Sequence, residues 1–237
     1  ILVTSDCTGE NDDDYTIKST NGSVGGIIGD ATDATIERCM FSGCLMNSTG
    51  ENAYYPAAGG IIGKVITNLT VTDCSVSNLI KTNSKSGSDN YEATPSTGGI
   101  VGLVYMGSTT IERCFVRNTV ESNETETGLI IGGCTGNNVK NCAYLKDKNW
   151  SMIGWYSNLT EDNNVSYSSN TDMNQDKTKG VLGTDNWYYF TGNYIDYPVP
   201  ITLKDMYIAN CVDEGSSDFV FRKTGSDNSD TPANAPY

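Results

Sequence analysis

The chain contains no histidine at all. That absence removes the commonest general base and the commonest metal ligand, and with them every Ser–His or Cys–His dyad. A catalytic mechanism would have to rest on carboxylates, lysine, tyrosine or a bound cation. Long apolar runs are missing too. The stretches around Ile27–Ile28, Ile61–Ile62 and Leu129–Ile131 fall far short of the roughly 20 residues a membrane-spanning helix needs. Positive charge is scarce, with 15 Lys and Arg against 29 Asp and Glu and a net charge of −14. An acidic surface argues against a nucleic-acid partner or an anionic membrane, both of which need Lys/Arg patches, and it suits an exported protein that must stay soluble. The sequence opens at Ile1 without showing a basic n-region or a cleavage site, so the compartment has to be inferred indirectly.

What the chain has is a repeat. Ser23–Gly29 reads SVGGIIG, Ala57–Gly63 AAGGIIG, Ser96–Gly102 STGGIVG and Glu126–Gly132 ETGLIIG, with a fainter copy, WSMIG, at Trp150–Gly154. Each block is followed by a second element: ATIERCMFSG around Cys39, NLTVTDCSVSN around Cys74, TTIERCFVRN around Cys114 and NNVKNCAYLK around Cys142. After WSMIG comes DNNVSYSS, in which Val165 is expected to stand where the others have Cys. LVTSDCTG around Cys7 reads as the tail of an earlier unit. The spacings along Cys7, Cys39, Cys74, Cys114 and Cys142 are 32, 35, 40 and 28 residues. Constant short blocks at a varying period imply stacked strands joined by loops of variable length.

The blocks have strand chemistry, being short, rich in Ile, Val, Thr and Phe, and bounded by Gly, Asn, Asp and Ser. Residues after each Cys alternate (Cys39 then Phe41, Cys74 then Val76, Cys114 then Val116, Cys142 then Tyr144), so one in two is expected to face a common interior. No long segment shows a 3.6-residue apolar period, so helix content should be small. The expected fold is all-β, a single-stranded parallel β-helix or β-solenoid of about five to six irregular coils with an aromatic C-terminal cap. The division expected is a solenoid with its cap over residues 1–204, then extra strands (Met206–Cys211, Phe219–Phe221) and a linker-like tail over 205–237.

Eight cysteines would ordinarily prompt a search for a disulfide framework or a zinc site. Five of them recur at one place in successive units, which predicts an inward ladder of small buried thiols. Disulfides among stacked neighbours remain an alternative. Metal binding is the remotest reading, because there is no C-x₂-C spacing and no His. Cys44, Cys134 and Cys211 lie outside the series.

At GGIIG…IERC the chain resembles the GLUG-type repeats, GG-L-[VI]-G units of bacterial surface proteins. These occur in adhesin-like proteins and in the non-catalytic repeats of immunoglobulin-A-specific metallopeptidases. The resemblance spans residues of about 1–170 and differs in having Ile for Leu and Leu129 for the second Gly of the fourth copy. Trp187–Lys204 is similar to the aromatic, YP-containing segment that often closes such repeats. The resemblance implies export and a binding or spacer role. It carries over no catalytic residue, and the peptidases' H-E-x-x-H cannot exist here.

The function expected is that of a secreted or cell-surface adhesin-like interaction module, with further domains in the parent protein and a glycan or protein ligand. The alternatives are a carbohydrate-active β-helix enzyme, lyase or glycosidase, and a plain structural spacer. An enzyme would need paired carboxylates, and Glu37 and Glu112, each beside an arginine, read instead as cross-strand ion pairs. Catalytic, cofactor and metal residues are therefore expected to be none. Candidate ligand-binding residues are Trp187, Tyr188, Tyr194 and Tyr197 in the closing segment and Tyr91 in the long loop Lys81–Ser96, although capping of the last coil is the favoured reading of the closing aromatics. Glu10–Asp14 and the pair Asp227 and Asp230 invite a calcium argument, but neither matches a calcium loop and solvated acidic loops explain both.

Overall fold

A computed structural model describes residues 1–4, 17–19, 22–47, 56–82, 95–122, 126–146, 150–156, 158–168, 175–189, 198–203, 211–213 and 219–221. The chain is built from parallel sheets, and each repeat contributes one strand to each of three of them. The first sheet holds the strands just before each Cys: Ala34–Glu37, Leu69–Thr72, Thr109–Glu112, Asn137–Lys140 and Leu159–Asp162. The second holds the strands just after it: Met40–Ser42, Ser75–Thr82, Phe115–Ser122, Ala143–Leu145 and Val165–Tyr167, with Leu2–Thr4 at one edge. Ile17–Ser19 and Leu45–Asn47 extend this sheet beside the far half of Ser75–Thr82. The third sheet carries the glycine blocks, and Glu126–Cys134 pairs with both halves of the block before it.

Strand partners are one repeat apart. Ala34 lies opposite Leu69, Leu69 opposite Thr109 and Thr109 opposite Asn137, so the sheet register reproduces the spacing of the cysteines. Parallel pairing of successive units brings equivalent residues to about 4.8 Å from one another, and the interior becomes columns of like side chains. Ile36, Val71, Ile111 and Val139 form one column, and Phe41, Val76 and Val116 another. All are buried, together with Ile61, Ile62, Ile100, Val101, Ile130 and Ile131 from the glycine sheet.

The motif glycines are fixed by how closely backbones approach. A Cβ on Gly59 would overlap the carbonyl oxygen of Ile62, three residues on in the same tight bend. A Cβ on Gly60 would overlap both the Gly99 carbonyl of the next unit and the side chain of Val76. Leu129 takes this place in the fourth copy, and there the residue in register with Val116 is Tyr144, which is only half buried.

A sharp corner joins the first two sheets. The residue before each ladder position has a left-handed backbone: Arg38 (φ 51°), Asp73 (53°), Arg113 (50°), Asn141 (53°) and Asn163 (50°). Asn and Asp tolerate this region because their short side chains bond locally, whereas arginine pays strain there.

Two registers differ from the sequence reading. The ladder position beside Cys39 falls to Ile1, because Leu2 pairs with Met40, so Cys7 is not the first rung and itself lies outside the described residues. At the other end Val165 pairs with Ala143, so the residue level with Cys142 is Asn164. Asn164 does the work of a thiol with an amide. Its Oδ1 accepts from the Cys142 backbone N–H at 2.9 Å and its Nδ2 donates to the Val139 carbonyl at 2.8 Å.

The aromatic closing segment covers an outer face that runs from the last unit back across the two before it. The helix Gln175–Leu182 and the strand Trp187–Tyr188, paired antiparallel with Val199–Pro200, pack on the outer face of the second sheet. The outward column Phe115, Ala143 and Val165 is apolar, and Val181, Leu182 and Trp187 cover it. The Tyr167 and Thr178 hydroxyls bond at 2.6 Å, and the Tyr189 hydroxyl donates to the Gly183 carbonyl at 2.8 Å. Beyond this lies one antiparallel pair, Cys211–Asp213 with Phe219–Phe221. The last unit turns polar where its predecessors are apolar, with Glu161 level with Val139 and Ser166 level with Tyr144, both exposed.

Candidate functional surface

Side chains with chemistry to offer lie on the corners and outer faces of the sheets, since the inner columns are mostly apolar or thiol. The ladder cysteines Cys39, Cys74, Cys114 and Cys142 are free and buried, as is Cys134. Each ladder thiol donates to the carbonyl two residues back, at 3.4 Å to Glu37, 3.3 Å to Thr72, 3.5 Å to Glu112 and 3.3 Å to Lys140. The Cys39 N–H donates in turn to the Cys74 sulfur at 3.4 Å. Burial pushes the Cys114 thiol well up, and the Cys114 thiol pushes up that of Cys74. A thiol held protonated is neither nucleophile nor metal ligand. Cys44 differs, being disulfide-bonded to a partner outside the described side chains.

The acids picked out in IERC are ion-paired. Glu37 meets Arg38 at 3.2 Å, while Glu112 meets Arg113 at 2.5 Å and Lys140 at 3.3 Å. Asp73 stands level with the arginines at the left-handed corner, and Arg113 grips it with two bonds, Nε to Oδ1 at 2.8 Å and Nη2 to Oδ2 at 3.1 Å. Asp73 also accepts from Asn186 at 3.0 Å, which ties the closing segment to the second of the five corners, three units before the last. Such bidentate contacts are the strong form of ion pair. Glu37 and Glu112 are separated by Thr72 in the register, two strand spacings apart.

Of the aromatic candidates, Trp187 is 2 % exposed and belongs to the packing over Phe115. Its neighbour Tyr188 is half-buried, and Tyr91, Tyr194 and Tyr197 lie outside the described residues. So do Glu10–Asp14, Asp227 and Asp230. No group of three metal-ligating side chains comes together among the described residues, and no described helix is long and apolar enough to cross a membrane.

The aromatics that do reach the surface are ones the sequence reading passed over. Trp155 and Tyr156, in the last glycine-sheet strand Ser151–Tyr156, are 46 % and 51 % exposed. They follow directly on WSMIG, the faint repeat copy. Trp155 is level with Gly133, and Tyr156 with Cys134. Beside Gly133 the Ser96 hydroxyl donates to the Glu126 carboxylate at 2.5 Å. Burial raises the Glu126 carboxyl above its ordinary value, against the lowering effect of that hydrogen bond. The one available signal was that ETGLIIG carries Glu where AAGGIIG and STGGIVG carry Ala57 and Ser96.

These features define an all-β protein of parallel sheets with one strand of each per repeat. No family model, curated protein or solved structure matches the chain. The resemblance to GLUG-type repeats therefore stands on the GG-[IL]-[IV]-G motif alone.

Proposed function

We propose that the chain is a bacterial adhesin-like interaction module of the GLUG-repeat kind, secreted or held at the cell surface, and that its parallel sheets are the faces of one β-helix with one turn per GG-[IL]-[IV]-G unit. The observation that carries this reading is the register. Each sheet takes its strands from successive repeats, offset by one period, and a chain that winds continuously produces that order. Such a scaffold is rigid, and variable loops leave it where the period lengthens, which is where ligand contacts would evolve. The disulfide at Cys44 supports export, because such bonds persist in oxidising compartments. Ion pairing at Glu37, Glu112 and Asp73 supports a binding role over hydrolysis, since a general acid needs a carboxyl held protonated rather than neutralised by arginine.

The test is a binding screen of the full chain against neutral and acidic oligosaccharides and against extracellular matrix proteins, run with an assay for released oligosaccharides. Saturable binding without release is the expected result. Release of oligosaccharides, or no binding to either class, would overturn the reading.

A further inference from the structure

The outermost strand of the glycine sheet, Ser151–Tyr156, pairs with Glu126–Cys134 on one side only. Alternate backbone N–H and C=O groups on its other side meet no partner among the described residues. A strand edge of this kind is a template for another strand, and proteins ordinarily blunt it with charge, proline or a bulge. The last unit guards its other two strands. Leu159–Asp162 carries Glu161 and Asp162, both exposed, and Val165–Tyr167 is tied to the helix Gln175–Leu182 by the bond from Tyr167 to Thr178. Ser151–Tyr156 has no such device. It reads SMIGWY, without charge or proline, and the register shift along it adds its extra residue to the partner strand. It ends on Trp155 and Tyr156, 46 % and 51 % exposed.

The occupant that fits such an edge is a strand, and charge decides whose. Head-to-tail stacking of copies would continue the registers of the sheets. It would set Trp155 beside Asp30, Glu161 beside the buried Ile36 and Asp162 beside Glu37. Two carboxylates side by side, and a third against an apolar column, oppose that contact. Antiparallel pairing about a two-fold axis normal to the glycine sheet avoids all three. Any register within Ser151–Tyr156 then sets only uncharged residues opposite one another. In the β-helix proposed above, the same rotation exchanges the flanking sheets, so the acidic Leu159–Asp162 of one copy faces the uncharged Val165–Tyr167 of the other. We propose that Ser151–Tyr156 is a dimerisation edge, pairing antiparallel with the same strand of a second copy and covering Trp155 and Tyr156 of both. Such a contact is isologous and closes on itself, so it yields a dimer rather than a fibre.

The experiment is sedimentation velocity of the full chain over a concentration series, joined to hydrogen exchange. A monomer–dimer equilibrium is expected. Exchange across Ser151–Tyr156 should slow as concentration rises, while that of Ala34–Glu37, at the opposite edge of the sheets, stays constant. Trp155→Lys and Tyr156→Lys each place on this strand the charge that blunts natural edges. Each should raise the dissociation constant of the dimer about tenfold or more, the loss expected when an interface aromatic is removed. Ile66→Lys adds the same charge at an exposed apolar site beside the inner strand Ile62–Val65 and should change nothing. Melting curves of each variant confirm that the fold is intact. Four outcomes overturn the edge: a monomer at every concentration, a head-to-tail series of larger species, a dimer that survives both lysine variants, or slowed exchange elsewhere than Ser151–Tyr156. The adhesin reading is judged apart from these, by the sugar and matrix screen.

Discussion

Each ladder cysteine is tied to backbone on two sides. Cys74, Cys114 and Cys142 donate within their own unit and also lie 3.9, 3.8 and 3.8 Å from the carbonyls of Ile36, Val71 and Ile111 in the unit before. Their sulfurs stay protonated and shielded. Iodoacetamide should therefore leave Cys39, Cys74, Cys114, Cys134 and Cys142 unmodified in the native protein and alkylate all of them in denaturant, read by peptide mass mapping; native labelling of Cys114 would contradict the ladder. Asn164 is the informative exception, replacing one sulfur by two amide bonds. Asn164→Ala leaves the Cys142 N–H and the Val139 carbonyl without those partners and should cost about 1–3 kcal/mol in urea unfolding. Asn164→Cys, which restores the repeat's own solution, should cost less. The sequence hid this residue for a physical reason. Two asparagines stand together at 163 and 164, one the left-handed corner and one the rung, and an apolar pattern passes over both to stop at Val165.

At the scale of the elements, the corner and the glycine bend fix how each strand enters its sheet. Gly60→Ala forces a methyl group into the Gly99 carbonyl and Val76, with nothing flexible to yield on the backbone side. The expected loss is about 1–3 kcal/mol, the usual cost of overpacking, measured against wild type by chemical denaturation. The latch between Asp73, Arg113 and Asn186 acts at longer range, holding the closing segment against the second sheet. Asp73→Ala should speed amide exchange across Asn186–Tyr189 while the buried strands, far from the latch, keep their protection. The strands themselves were legible, because GG blocks and Cys-bearing blocks carry fixed local patterns. The placement of the aromatic segment was not. A cluster of Trp and Tyr announces that something apolar is being covered, and only the outward positions of Phe115, Ala143 and Val165 say which face it is.

For the molecule as a whole, acid and neutral pH act oppositely on two carboxyls. Asp33 accepts from the Thr67 hydroxyl at 2.6 Å and from Asn68, and these bonds hold its carboxyl below the ordinary 3.8. A depressed carboxyl contributes stability above its unfolded value and loses it as pH falls through the folded one. The stability gap between wild type and Asp33→Asn should accordingly close below about pH 4, followed by urea midpoints across pH. Glu126 has the reverse sign. Its raised carboxyl favours folding at low pH and penalises it as pH rises, so E126Q should gain in relative stability toward neutral pH.

The polar last unit has a consequence for assembly. Ile27, Ile28, Ala31 and Ala34 remain apolar and only partly covered at one end of the sheets, whereas Asn164, Glu161 and Ser166 stand at the other. Inward charges on an edge strand discourage another strand from pairing there. Replacing two of them with the residue their columns ask for, Glu161→Val with Ser166→Val, should make the protein self-associate, seen as faster-sedimenting species in analytical ultracentrifugation; a sedimentation profile unchanged from wild type would show that these residues are not what blunts the end. Association of the double variant would make the last repeat a terminator written into a polymer's final monomer, with polar side chains setting the point at which strand addition stops.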